Sequence, residues 1–214
     1  MAVVGESGSG KTTFLKVLHG MYPNAQATLT LDNEAPIATS FADIDLETML
    51  VPQEPEIFSS TIRENMTLGI DYSEDSVMQA AQIALFDKVI QSLQQGLDSV
   101  INEKGVNLSG GQKQRLALAR AILFSSEKEM ILLDESTSSV DSETETEIYQ
   151  RIFSAFHDKT IIASIHKMNL LKLFDRIVMF EDGQVVDSGT FEELLERNSQ
   201  FQAAWKQFIA TSDL

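Results

Sequence analysis

Gly5-Glu6-Ser7-Gly8-Ser9-Gly10-Lys11-Thr12 decides the fold. The stretch fits G-x-x-x-x-G-K-[ST], and its flanks have the right character. The apolar run Ala2-Val3-Val4 reads as β-strand and stops at Gly5. A helix is expected from Lys11 to about Leu18, ended by Gly20 and Pro23. Glycines let successive N–H groups turn inward around a phosphate, and the following helix N-terminus adds a partial positive charge. In such a loop Gly5, Ser7, Gly8, Ser9 and Gly10 form the cradle. Lys11 reaches the β- and γ-phosphates of a nucleotide, and Thr12 ligates Mg²⁺.

Further along, strands alternate with helices, which predicts an α/β core. Met130 to Leu133 and Thr160 to Ser164 are short apolar runs without alternation, as buried parallel strands are. Helices are expected after Ser73, from Gly110 to Phe124 and from Glu143 to Phe156. After Ser73, the spacing of Val77, Ala81, Ala84, Leu85 and Val89 predicts one buried helical face. Asp182-Gly183 between Ile177–Glu181 and Gln184–Asp187 predicts a hairpin. Thr190 and Glu193 form a capping box for a C-terminal helix. Phe201, Trp205 and Phe208 share one face of that helix and read as packing. From Ala25 to about Ser40, Thr, Leu, Ile and Ala around Asp32-Asn33 and Pro36 predict a hairpin or short antiparallel strands. The helix-rich stretch 63–124, inserted between strands, is the candidate second lobe.

The 214 residues carry 32 acidic and 16 basic side chains, a net charge of −16, and no cysteine. That balance argues against nucleic acid held on a basic face, since such affinity comes from Lys and Arg on phosphates. Residues 17–62 contain no Lys or Arg and seven acids, which reads as a solvated acidic face. Disulfides and thiolate metal sites are excluded. No run approaches the ~18 apolar residues of a membrane helix, and no signal peptide is evident, so the chain by itself is expected to be soluble.

Two further stretches carry chemistry. Asp134 and Glu135 follow Met130-Ile-Leu-Leu133, at the strand end where ligands of such sheets bind. A strand-end Asp can hold the Mg²⁺ that bridges phosphates, and a following Glu can act as general base on water. Leu108-Ser109-Gly110-Gly111-Gln112 precedes a helix that Ser109 can cap, and reads as a second anion-binding helix start. One chain needs a single cradle for a triphosphate, so a second one suggests two chains sharing nucleotides. Glu143, Glu145 and Glu147 suit a helix start and call for no catalytic role. His166 ends the apolar run 160–165. By spacing alone a core histidine and a ligand are equally open. His19 and His157 belong to no motif.

Together these motifs resemble the nucleotide-binding domain of ATP-binding cassette transporters, over about residues 2–197. The phosphate loop, the glutamine loop at Val51-Pro52-Gln53, the LSGGQ signature at 108–112, Asp134-Glu135 and His166 stand in the family's order. Ser138-Ser139-Val140-Asp141 resembles its D-loop, and Gln112 to Ala121 carries the family's specific run after the signature. Ser164-Ile-His166-Lys-Met departs from the family's usual pattern around the histidine, whereas Phe174-Asp175-Arg176-Ile-Val matches well.

The resemblance implies a P-loop NTPase core with a parallel sheet, a small antiparallel β region and a helical signature subdomain. It implies that Thr13 meets the α-phosphate and that Gln53 approaches Mg²⁺ and the water. Asp134 becomes the magnesium-side acid and Glu135 the catalytic base. Ser109, Gly110, Gly111 and Gln112 serve the nucleotide of an opposite subunit. Asp141 communicates between subunits, and His166 contacts the γ-phosphate. The implied ligands are ATP and Mg²⁺. The implied partners are a second nucleotide-binding domain, head to tail, and a transmembrane domain, which puts the chain at the cytoplasmic face of a membrane.

Pro52 to Asn65 resembles the exporter form of the glutamine loop, and Val100 to Gly105 the exporter X-loop. Beginning in mid-strand, the chain is expected to lack the family's first antiparallel strands and adenine-stacking aromatic. Clamp or chromosome-maintenance ATPase heads share the phosphate loop and signature, but they need coiled-coil heptads, which are absent here. Lys11, Glu135 and His166 together argue against a catalytically dead module.

Overall fold

A computed structural model describes residues 1–22, 24–25, 47–102 and 107–212. The chain divides into two compact units: one built from residues up to Leu46 together with Thr160–Leu214, the other from Glu47–Lys159. The expected hairpin at 25–40 and residues 103–106 of the X-loop lie outside the described residues.

In the first unit, β1 (Ala2–Gly5) is flanked by two parallel neighbours. It pairs with β4 (Thr160–Ser164) at Ala2↔Ala163 and with β5 (Ile177–Glu181) from Ala2↔Ile177 to Gly5↔Phe180. Ala2, Val3, Ala163 and Ile177 are fully buried, as a central parallel strand and its neighbours require. β6 (Gln184–Gly189) returns antiparallel to β5. The turn between them has φ 47° at Asp182 and 77° at Gly183, the positive pair a two-residue hairpin needs. α1 (Lys11–Leu18) buries Leu15 completely, worth ~2 kcal/mol of apolar transfer.

The unit closes with α7 (Phe191–Arg197) and α8 (Ser199–Ser212). The Thr190/Glu193 capping box is present, with Glu193 N–H donating to Thr190 Oγ1 at 3.2 Å and Thr190 N–H to Glu193 Oε2 at 3.0 Å. Trp205 packs edge-on to Phe191 and stacks on Phe208, and the Lys172 ammonium sits 4.6 Å from its ring centre. It is a packing residue, as its spacing predicts.

In the second unit, β2 (Thr48–Val51) and β3 (Met130–Asp134) pair in parallel from Thr48↔Met130 to Val51↔Leu133. Between them run α2 (Ile62–Thr67), α3 (Glu74–Ile83), α4 (Asp87–Ser92) and α5 (Gly110–Phe124), and α6 (Ser142–Ala155) follows β3. α5 is apolar around nearly its whole circumference from Leu116 to Leu123, and those residues are buried apart from Arg120. It packs against α2, α3 and β2.

The expected face Val77–Val89 is buried throughout, but it is not one helix. α3 ends at Ile83, Leu85 takes φ 53°, and α4 begins at Asp87. The carbonyl released at Leu85 accepts from Arg115 Nη1 at 2.7 Å, so a distant side chain secures the break.

Candidate functional site

The phosphate loop lies within the first unit. Gly10 is the N-cap of α1 with φ 104°, and no side chain caps this helix. Helix starts ordinarily take a Ser, Thr or Asp cap, so the glycine leaves the first N–H groups facing the loop. Any side chain at Gly5 would collide with the Phe180 carbonyl, which is why the strand turns into the loop there. Gly183 N–H donates to Ser9 O at 3.0 Å, so the β5–β6 turn braces the loop. Lys11 is 4% exposed and folds its ammonium back onto the Gly5 and Glu6 carbonyls at 2.9 and 3.0 Å.

Ser7, Gly8 and Thr13 are exposed and Thr12 is half-buried. Ser9 Oγ is buried without a hydrogen-bond partner among the described residues, an unmet donor at the loop. The loop forms one wall of a cavity of about 540 Å³. His166 is exposed and lines the same cavity. Spacing leaves a core position open for this histidine, and the structure puts it at the cavity wall, after β4.

The carboxylates lie in the second unit. Asp134, 3% exposed, ends β3 above the buried Ile131, Leu132 and Leu133. Glu135 follows with φ 46°, a left-handed conformation that costs a non-glycine residue about 1 kcal/mol or more. Gln53, just past β2, donates from Nε2 to Glu135 Oε2 at 2.7 Å. The glutamine and the expected base are therefore in direct contact, 82 residues apart in sequence. The amide holds one oxygen of that carboxylate.

The turn after Glu135 rests on a buried polar cluster. Thr137 Oγ1 donates to Glu145 Oε1 at 2.6 Å, and Glu145 is 4% exposed. Tyr149 is fully buried beside them, and burial raises its phenol pKa. Glu143 and Glu145 stand in the first turn of α6, as the dipole reading expects. Glu145 is in addition a buried acceptor for Thr137, and Glu147, further along, pairs with Arg151 at 2.6 Å. Asp141 caps α6 by accepting from Thr144 N–H at 2.9 Å, and that bond is the main cause of its lowered pKa.

Ser109 caps α5 in the same unit. Gln112 N–H donates to Ser109 Oγ at 3.2 Å, and Ser109 N–H donates to Gln112 Oε1 at 2.9 Å. Gly111 lies where a Cβ would stand 2.8 Å from Ser139 O, so the start of α5 and the D-loop pack as one piece.

Three residues of this unit gave no functional signal in the sequence beyond belonging to the run after the signature. Arg115 secures the Leu85 turn. Arg120 donates to Asn65 O at 2.6 Å and Glu56 O at 2.9 Å, and lies 5.2 Å from the Phe58 ring centre. Burial lowers its guanidinium pKa, partly countered by Glu56. The third, Gln114, meets both the glutamine loop and the D-loop.

For Mg²⁺, no group of three or more His, Cys, Asp or Glu among the described residues forms a protein-only cage. The Thr12 hydroxyl and the Asp134 carboxylate are hard oxygen donors of the kind this ion takes alongside phosphate oxygens. Each of these oxygens, one in the first unit and one in the second, is of a kind that fits magnesium bound with a nucleotide.

A family model described as ABC transporter matches residues 1–138. An ATP-dependent lipid A-core flippase of Legionella pneumophila (strain Lens) is 34% identical over 207 residues, covering 96% of this chain and 35% of that protein. ABC transporter B family member 14 of Arabidopsis thaliana is 35% identical over 201 residues, covering 94% of this chain and 16% of that protein. A solved bacterial Atm1-family ABC exporter with ATP bound superposes with TM-score 0.85 at 30% identity, covering 96% of this chain and 36% of that one. The chain thus spans about a third or less of the length of these relatives.

Proposed function

Because this chain belongs to the ABC transporter family, we propose that it is the nucleotide-binding domain of an ABC exporter, hydrolysing ATP to power transport across a membrane. The observation that carries this reading is the phosphate loop. Its helix start carries no side-chain cap, its lysine is buried, and its segment Gly5 to Ser9, with the unmet Ser9 hydroxyl, lines a cavity. An acidic chain can hold a polyanion in this way without a basic surface.

Each residue then has a role. Gly5 to Gly10 and Thr13 line the phosphates, and Lys11 exchanges its loop carbonyls for β- and γ-phosphate oxygens. Thr12 and Asp134 hold Mg²⁺, with Gln53 close to it. Bound Mg²⁺ supplies charge neutralisation on the phosphates. Glu135, held in place by Gln53, takes the proton of the attacking water, and His166 meets the γ-phosphate. Ser109 to Gln112 and Asp141 serve a second, head-to-tail nucleotide-binding domain that closes over two ATP molecules.

The partner on the membrane side is a transmembrane domain. An apolar recess of about 210 Å³, lined by Met49, Leu50, Pro52, Pro55, Leu68 and Phe124, supports that contact, with exposed Phe58 and Ile70 in the same unit. No described helix is long and apolar enough to cross a membrane. In this reading the chain acts at the cytoplasmic face, against that domain.

Steady-state ATP turnover tests the reading. Glu135→Gln is expected to lower kcat by about 10²–10⁴-fold while ATP binding persists, the range typical of a lost general base. Unchanged turnover in this variant contradicts the assignment.

A further inference from the structure

Gln114 occupies the second turn of α5 and is only 5% exposed. A buried primary amide must satisfy an acceptor and two donors. Ser139 N–H donates to Gln114 Oε1 at 2.8 Å. A backbone amide can only donate, so this contact fixes which end of the side chain is oxygen. The nitrogen then faces Ser138 Oγ at 2.9 Å and the main-chain carbonyl of Gln53 at 3.4 Å. Gln53 in turn donates from its own side chain to Glu135. One side chain of α5 thus joins two segments that lie 61 and 24 residues away in sequence. The glutamine loop stands on one side of it and the turn after the carboxylates on the other. The neighbouring Gly111 permits this approach by keeping the helix backbone against Ser139.

We infer that Gln114 is a positioning residue for ATP turnover: its amide sets where Gln53 stands, and through Gln53 where the Glu135 carboxylate points. The inference rests on the ATPase reading above for its kinetic consequence, but not for the junction itself. Gln114 touches none of the residues assigned to phosphate, so its effect falls on the chemical step rather than on nucleotide affinity. The chemistry also separates Gln from its isostere. Glutamate at this position keeps an acceptor for Ser139 N–H, but it turns the donor into a second acceptor aimed at the Gln53 carbonyl. That contact is then repulsive.

The test measures MgATP turnover and hydrogen–deuterium exchange of segments 50–55 and 136–141 in the wild-type chain, Gln114→Glu, Gln114→Leu, Ser138→Ala and the Gln114→Glu/Ser138→Ala pair. Gln114→Glu is expected to lower kcat roughly ten- to hundredfold with KM little changed, the size of effect a small misplacement of catalytic groups produces. Exchange should quicken in both segments while α1 stays protected. The double variant should be no worse than Gln114→Glu alone, because both break one network.

Turnover that falls only in proportion to lost folded protein overturns the inference, as does quickened exchange confined to α5, or additive losses in the double variant. If Gln114→Leu or Gln114→Glu does not fold, Ser138→Ala decides: unchanged exchange at 50–55 overturns the junction. A wild-type chain that binds no ATP defeats the ATPase reading instead, and the exchange measurements still decide the junction.

Discussion

α1 follows a glycine-rich loop and α5 opens on Gly110-Gly111, and the sequence reads both starts as anion sites. They are built in opposite ways. α1 starts at Gly10 with no side-chain cap, and a lysine follows immediately. α5 starts at Ser109 with a reciprocal capping box from Gln112, so two of its backbone donors are already engaged. The first start is shaped to be completed by a ligand, and the second is complete within its own chain. A phosphate arriving at α5 meets the Ser109 hydroxyl and the remaining N–H groups and competes with a cap, whereas one arriving at α1 meets no side-chain cap and displaces the Lys11 contacts to its own loop. The same loop chemistry thus gives a primary cradle and a weaker accessory surface, as expected if the second serves a nucleotide already held elsewhere.

Gly10→Ala attacks the first start. A side chain at φ 104° costs about 1–3 kcal/mol, and the cost falls on the loop that binds. ATP affinity, read by nucleotide titration, should drop together with thermal stability. A variant that keeps full affinity would mean that the loop shape matters less than the lysine. Ser109→Ala attacks the second start. Loss of the cap is expected to destabilise the chain by about 1 kcal/mol in denaturant melts, and no loss of stability would show that the capping box is idle.

Asp141→Asn at the start of α6 should have the smallest effect. The Asp141 carboxylate is held below its ordinary pKa, first by Thr144 N–H. Its stabilising contribution is present above the unfolded pKa near 3.8 and is lost as pH falls through the lower folded value. Acid melts of Asp141→Asn should therefore show a shallower loss of stability below about pH 4, with little change at neutral pH. An identical acid limb would place the pH dependence elsewhere.

Much of this was legible because it is local. α1, α5 and β4 have the bounds that caps, glycines and apolar runs predict, and the Asp182-Gly183 turn is a dipeptide signal. What escaped is long-range. β2 is four residues, Thr48 to Val51, between Glu47 and Pro52, too short to show a period. The break at Leu85 has no local mark, because its carbonyl is met by Arg115 thirty residues later. Glu145 is the helix-start acid its sequence predicts, but its contact with Thr137 has no local mark. Among the candidate site residues, the motif spacing picks out Gln53 and Glu135 separately, and only the fold brings them to 2.7 Å. Gln114 is marked in the sequence only as part of the run after the signature, and its role stays hidden because its partners lie on two other segments.

In the proposed function, the uncapped start of α1, and not the capped start of α5, holds this chain's nucleotide. Calorimetric titration of MgATP into Lys11→Ala and Ser109→Ala, at a concentration where the chain is monomeric, tests it most directly. Binding is expected to be lost or severely weakened in Lys11→Ala and close to wild type in Ser109→Ala. Equal losses in both variants, or retained binding in Lys11→Ala, would contradict it.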